Sequence, residues 1–216
     1  MKIGILGTGE VGKALARGFV QTGHTVHMGT RDPRNAKAVQ LVAQLGKDIP
    51  VVSFEEAAIL AEVAVLATLW SGTENALKLA NPKNLAGKVV IDTTNPLVIS
   101  PGSLPRLAVG QTDSGGEQVQ RWLPQSKVVK AFNIVGNRHM VNPDFPGGPP
   151  DMFICGNDAG AKKVVTDILT SFHWSTIDIG MIEGARLLEP LCILWVLYGA
   201  KTNSWNHAFK LLRKNG

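Results

Sequence analysis

Cysteine, charge and aromatic rings are all scarce in this chain. Only Cys155 and Cys192 are present among 216 residues, too few for a disulfide framework or a four-cysteine zinc site. A reducing, cytoplasmic compartment is the default expectation. Charged residues are 18% and hydrophobic residues 44% of the chain, which excludes intrinsic disorder. Long apolar runs are missing too. The longest, Leu191 to Ala200, is about half of what a membrane helix needs, and the short run after Met1-Lys2 is ended by glycines rather than forming a secretory core. The 23 glycines follow no three-residue period, so a collagen-like chain is excluded. No internal repeat or low-complexity tract occurs.

What remains is enough apolar chain for one domain with a proper core. The net charge is +5, and its distribution is informative. Residues 1–140 hold 15 Lys/Arg against 10 Asp/Glu, and residues 141–216 hold 7 of each. No run of five basic residues occurs, whereas a nucleic-acid footprint clusters on one face or arm. A dispersed surplus fits an anionic small ligand, with neither nucleic acid nor membrane as partner.

Strand-like and helix-like segments alternate. Lys2–Leu6, His24–Met28, Val51-Val52, Ala61–Ala67, Lys88–Asp92 and Lys127–Phe132 read as strands. Between them, Val11–Gln21 (closed by Gly23), Asn35–Leu45 (closed by Gly46) and Thr73–Leu79 read as helices. Ser53-Phe54-Glu55-Glu56 and Ser114-Gly115-Gly116-Glu117 are capping boxes that start two more. This is the pattern of an α/β fold with a doubly wound, mostly parallel sheet. The texture changes near residue 135. A Pro/Gly-rich loop at Asn142–Pro150 leads to a strand at Asp151–Cys155, a helix capped by Asp158, and a strand at Thr176–Ile179. Two helices follow, Glu183–Tyr198 and Asn203–Arg213. The expected division is a dinucleotide-binding domain over 1–135 and a C-terminal extension with helices over 136–216, packed as one unit.

The strongest motif is Gly7-Thr8-Gly9-Glu10-Val11-Gly12. It follows an apolar strand and opens a helix inside a β-α-β unit, the context that makes a G-x-G-x-x-G hexapeptide a dinucleotide loop. Gly7 permits the tight turn, Gly9 lets the backbone approach a pyrophosphate, and Gly12 lets helix and strand pack closely. The helix N-terminus presents free N–H groups and a positive dipole end to phosphate. An NAD-binding chain places an acid at the end of the second strand, on the ribose 2′-hydroxyl. Here that position reads Gly29-Thr30-Arg31-Asp32-Pro33-Arg34. Thr30 and Arg31, with Arg34 adding charge, suit a 2′-phosphate and hence NADP(H). The other reading gives Asp32 the acid's role and makes the cofactor NAD; Asp32-Pro33 looks more like the cap and first residue of the next helix.

Other constellations have plainer readings. His24 and His27 are three apart on a strand and point to opposite faces, so no metal site is expected. No G-x-S-x-G occurs. A hydroxyacid dehydrogenase needs a general base, and only Lys130 and His139 are available near the sixth strand; Lys130 is expected inside the strand with its head snorkelled to solvent. Arg186 and Glu189, three apart on a helix, are expected to pair with each other. Trp195, Trp205 and Tyr198 read as core or dimer contacts.

The order and spacing of Gly29-Thr30-Arg31, Val65-Leu66-Ala67-Thr68-Leu69-Trp70, Asp92-Thr93-Thr94-Asn95-Pro96, Lys130-Ala131-Phe132-Asn133 and Arg186-Leu187-Leu188-Glu189-Pro190 resemble the F420:NADP oxidoreductases nearly end to end. These are NADPH-dependent reductases of a deazaflavin coenzyme. The module also looks like the cytosolic reductase domain of six-transmembrane ferric reductases. The resemblance implies a Rossmann-type domain and direct hydride transfer from nicotinamide to a stacked ring, with no catalytic side chain and no metal. It assigns Thr30 and Arg31 to the 2′-phosphate. Thr68, Leu69 and Trp70 fall beside the nicotinamide ribose, and Asn95 and Pro96 on the loop after the fifth strand. Ala131, Asn133 and Ile134 fall where nicotinamide meets acceptor, with Trp70, Asn133 and Ile134 facing the acceptor. Leu69 stands where the archaeal members have proline, and the segment Ser100–Pro124 is long. The departures thus gather around the acceptor. Three functions fit these residues: a deazaflavin reductase; an NADPH-dependent reductase of flavin, ferric chelate or a small carbonyl; and a dinucleotide sensor without turnover. A homodimer through the apolar C-terminal helices is expected.

Overall fold

The computed structural model describes residues 1–43, 45, 49–100 and 102–214. Six parallel strands form most of one sheet: β1 (Lys2–Leu6), β2 (Thr25–Thr30), β3 (Val51–Ser53), β4 (Val63–Leu66), β5 (Val89–Asp92) and β8 (Lys127–Lys130). A two-stranded hairpin, β6 (Leu97–Val98) with β7 (Arg106–Leu107), stands apart from it. β9 (Asp151–Gly156) then joins β8 antiparallel, and β10 (Ser175–Asp178) extends the sheet parallel to β9. The spatial order is β10-β9-β8-β5-β4-β1-β2-β3. Growth reverses direction between β1 and β4, which opens a crevice at the C-terminal ends of the parallel strands.

The two-residue period of the strands sorts the core onto two faces. Ile3, Ile5, Val63, Val65, Ile91 and Val129 face one side. There they meet Leu15, Ala16 and Phe19 of α1 (Glu10–Gln21), Val42 of α2 (Ala36–Ala43), and Val165, Ile168 and Leu169 of α6 (Ala159–Ser171). Leu6, Ala64, Leu66, Val90 and Val128 face the other side. They lie under α3 (Phe54–Leu60), α4 (Trp70–Ala80), α5 (Gly115–Trp122) and α7 (Ala185–Thr202). Each fully buried Leu, Ile or Val contributes roughly 1.5–3 kcal/mol, so this double layer is the main stabilising term. The caps follow the sequence. Ser53 Oγ accepts the Glu56 N–H at 3.0 Å, Ser114 Oγ that of Glu117 at 3.1 Å, and Asp158 Oδ1 that of Ala161 at 2.7 Å.

Several local expectations fail. Residues 203–213 form no helix. Asn203 takes a left-handed conformation (φ 49°) that ends α7, and the segment bonds to the rest of the chain. Phe209 O accepts the Asp151 N–H at 2.9 Å, the Leu211 N–H donates to Asp151 Oδ2 at 2.7 Å, and His207 O accepts from Trp195 Nε1 at 2.9 Å. A helix would spend those backbone groups on itself. Asp32 does not cap α2, which begins at Ala36. It heads a turn instead, its Oδ1 accepting the Arg34 N–H at 3.0 Å and its carbonyl the Asn35 N–H at 3.1 Å. α4 starts at Trp70 rather than Thr73, which brings Trp70 to a helix start. The proposed closure at Gly46 lies outside the described residues. The hairpin β6–β7 was not anticipated, because two-residue strands leave no periodic signal.

Candidate active site

The glycine loop is built as its sequence requires. Gly7 has φ +132°, and a β-carbon there would lie 2.2 Å from the Ala67 carbonyl at the end of β4. At Gly12 the corresponding atom would lie 2.3 Å from Gly7 O. Side chains at either position would push β1, β4 and α1 apart. Gly9 differs: nothing lies within 4 Å of its absent β-carbon, and it caps α1 without a side-chain bond to the helix N–H groups. An open glycine over uncapped amides is the cradle that a pyrophosphate needs. The Glu10 carboxylate shares this helix end and is held by Lys13 Nζ at 2.6 Å. At the end of β2, Thr30 is half-buried and Arg31 exposed. Arg34 is exposed, 4.0 Å from Asp32 across the turn. An adenosine 2′-phosphate would meet two cations here. The residues present therefore fit a phosphorylated dinucleotide.

The remaining candidates lie along the same strand edge. Thr68 and Thr73 hydroxyls meet at 2.9 Å, and Thr73 also donates to Leu69 O at 3.1 Å, fixing the turn into α4. Leu69 is 84% exposed. Trp70 is stacked on Trp122, centroids 5.5 Å apart, so one face of its indole is already covered. Val11 is half-buried at the start of α1, and Ala131 and Ile134 are buried in the core on the α1 side. Past β8, Phe132 takes a left-handed backbone conformation (φ 62°), a strained state for a non-glycine residue that costs roughly 1–3 kcal/mol and gathers at functional sites.

Asn95 and Asn133 lock each other. Asn95 Nδ2 donates to the Asn133 main-chain carbonyl at 2.8 Å. Asn133 Nδ2 donates to Asn95 Oδ1 at 3.1 Å and to Leu188 O at 3.0 Å. Each amide nitrogen faces an acceptor, which sets both orientations.

Beneath this loop lies a feature that the sequence did not disclose. The register pairs Asp92 with Lys130 on the face covered by α5 and α7. Lys130 is wholly buried, not snorkelled. Its ammonium donates to Thr94 O at 2.7 Å and lies 2.9 Å from Glu189 Oε1 and 3.0 Å from Asp92 Oδ2. Burial alone would lower its pKa; Asp92 and Glu189 outweigh that and hold it above the usual lysine range. The Glu189 carboxylate also accepts the Gly115 and Gly116 N–H groups, each at 2.9 Å, so α7 caps α5. Asp92 Oδ1 accepts from the Thr94 N–H at 2.9 Å and its hydroxyl at 2.7 Å.

Arg186 therefore does not pair with Glu189. Its guanidinium reaches Glu117 on α5, with Nε at 2.9 Å from Oε2 and a second bond from Nη2 to Oε1. Arg186 and the Ser114 hydroxyl hold the Glu117 carboxyl below its ordinary pKa despite its burial. Gly115 and Gly116 were the available clue. A β-carbon at Gly116 would lie 2.7 Å from Ala185 Cβ and 3.0 Å from Lys130 Cε, and one at Gly115 3.0 Å from Glu189 Oε1 and 3.1 Å from Trp70.

The profile of the family described as NADP oxidoreductase, coenzyme F420-dependent, matches residues 2–96. The F420-dependent NADP reductase of Methanocaldococcus jannaschii is 32% identical, over 94% of this chain and 95% of that protein. The metalloreductase STEAP3 of Rattus norvegicus is 28% identical over 88% of this chain, which spans only 36% of that longer protein. A crystal structure from Arthrobacter sp. FB24, described as a candidate F420-dependent NADP-reductase, superposes with a TM-score of 0.91 at 38% identity, covering 99% of this chain and all of that one. Among the described residues no helix is long and apolar enough to cross a membrane. With the glycine loop, the sheet order and an end-to-end relative in agreement, the chain belongs to the F420-dependent NADP oxidoreductase family and is an NADP-dependent oxidoreductase.

Proposed function

We propose that the chain transfers a hydride between NADPH and a deazaflavin of the F420 type by direct ring-to-ring contact. The observation that carries this reading is the full-length relation to the archaeal F420-dependent NADP reductase. Bound NADPH supplies the hydride from its nicotinamide ring, and the acceptor ring takes it up together with a proton from water. The chain's own residues bind and orient. The Gly7–Gly12 loop and the α1 N-terminus hold the pyrophosphate, and Thr30, Arg31 and Arg34 hold the 2′-phosphate. Thr68, Leu69, Trp70, Asn95 and Pro96 flank the nicotinamide half, Trp70 faces the acceptor, and the buried Ala131, Asn133 and Ile134 back the site from within the core.

The state of the titratable groups supports positioning over acid–base chemistry. Lys130 donates to Thr94 O and is paired with two buried carboxylates, Glu189 at 2.9 Å and Asp92 at 3.0 Å. His139 is engaged with Asn206 at 3.2 Å and packed on Phe145. Neither offers the free base that a hydroxyacid dehydrogenase requires. The relation to a metalloreductase supports a second reading, reduction of flavin or ferric chelate. Turnover of NADPH, followed by its absorbance with F420, FMN and ferric citrate in parallel, tests both. Turnover with FMN and none with F420 refutes the first. A second copy of the chain is proposed to cover the stripe that α7 leaves exposed, Leu187, Leu194 and Tyr198, spaced as one helix face.

A further inference from the structure

The buried cluster of Lys130, Asp92 and Glu189 takes no part in hydride transfer, yet it sits under the part of the site where acceptor and nicotinamide are expected. Three charged side chains without solvent exposure are a poor device for stability alone, because apolar replacements of similar volume are often neutral or stabilising. Their bonds, however, join four segments that are distant in sequence. Asp92 ends β5, and its other oxygen holds Thr94. Lys130 ends β8 and holds the Thr94 carbonyl from below. Glu189 comes from α7 and seats the first two amides of α5. The residue after Thr94 is Asn95, locked to Asn133, which in turn donates to Leu188, the neighbour of Glu189. The cluster and the asparagine pair therefore form one connected frame. Trp70 and Pro96 close over Gly115, the residue that Glu189 seats. The α5 N-terminus also offsets the excess negative charge of two carboxylates against one ammonium.

We propose that Lys130 and Glu189 are positioning residues for the part of the site where nicotinamide and acceptor meet, fixing Thr94–Pro96, Ala131–Ile134 and the α5 N-terminus without touching either ring. The kinetic consequence rests on the ring-to-ring reading above; the structural consequence does not. Misplacement of reacting groups by about 1 Å costs on the order of a hundred-fold in rate, while the phosphate cradle on β1 and α1 lies outside the frame.

Two variants test this. Glu189→Gln keeps the shape and removes one buried charge; Lys130→Met removes the cation. Amide hydrogen exchange on the ligand-free proteins is the first readout. Expected is exchange at least about ten-fold faster at Gly115, Gly116 and residues 93–95 and 131–134, with β1 and α1 unchanged. The second readout is kinetic, using whichever of F420, FMN or ferric citrate the unmodified enzyme reduces. Expected are an NADPH Kd within about two-fold of the original, a kcat lowered about ten- to hundred-fold, and a larger primary isotope effect with NADPH deuterated at C4. A fall in kcat with an unchanged isotope effect, in proportion to the folded fraction, overturns the proposal. So does unchanged exchange at residues 93–95 and 131–134, or failure of both variants to fold. If the unmodified enzyme reduces none of the three acceptors, the ring-to-ring reading fails, and hydrogen exchange alone decides the positioning role.

Discussion

Substituting alanine at Gly9 and, separately, at Gly12 distinguishes binding from folding within a single loop. At Gly12 the new methyl would lie 2.3 Å from the Gly7 carbonyl oxygen, where ordinary contact begins at 3.4 Å. The obstacle is backbone, so α1 must move away from β1 by about 1 Å, at a cost of about 3 kcal/mol. Alanine's better helix propensity returns about 1 kcal/mol. The net loss of about 2 kcal/mol lowers Tm by about 4–8 °C for a chain of this size. At Gly9 nothing lies within 4 Å of the new methyl. Loss of a favourable N-cap residue, about 0.5–1 kcal/mol, is offset by a stiffer unfolded chain, leaving Tm within about 2 °C of the original. The methyl nevertheless fills the space over the α1 amides. NADPH affinity should fall at least about ten-fold, or about 1.4 kcal/mol. Thermal unfolding and titration of NADPH fluorescence on the two variants measure both quantities. A Gly9→Ala protein that binds NADPH as tightly as the original would refute the assignment of this loop to the pyrophosphate. A Gly12→Ala protein of unchanged Tm would refute the packing argument.

Other expectations follow from individual contacts. Arg31→Ala should weaken NADPH about ten-fold and leave NADH nearly unchanged; an unaltered preference between the two cofactors rejects the 2′-phosphate assignment. The Glu117 carboxyl is held below its ordinary pKa by Arg186. Stability from this pair is thus present above the unfolded carboxyl pKa and lost as pH falls through the lower, folded value. The Tm gap between the original protein and Arg186→Leu should narrow from pH 6 toward pH 3, and a constant gap would contradict the pairing. Burial pushes the thiols of Cys155 and Cys192 up to about 12. Neither should react with a thiol reagent at pH 8 until denaturant is added, and rapid labelling of the native protein would show that burial overstated. Leu194→Glu should lower the sedimenting mass if α7 carries the contact between copies; an unchanged mass rejects that surface.

Much of the fold was legible because its signals are local. Alternating strand and helix patterns, the capping serines at 53 and 114 and the N-terminal glycine loop each depend on residues within one element. The geometry of the glycine loop was legible for the same reason, since it is a single loop between one strand and one helix. Failures occur where distant groups compete. Residues 203–213 have the composition of a helix, but their backbone groups bond to Asp151 and Trp195. Arg186 and Glu189 have the spacing of an intrahelical pair, yet each has a better partner on another element.

The sequence by itself determined the glycine cradle, the cation at the end of β2 and the two-faced α/β sheet, because period, turn chemistry and residue size act over a few neighbours. Only the tertiary structure decided where Lys130 goes. Its partners Asp92 and Glu189 arrive through the register of β5 against β8 and the docking of α7, and only then does burying a lysine become cheaper than snorkelling it. Whether a charge is paired or solvated depends on what surrounds it in space, and that is settled when the sheet and its covering helices close together.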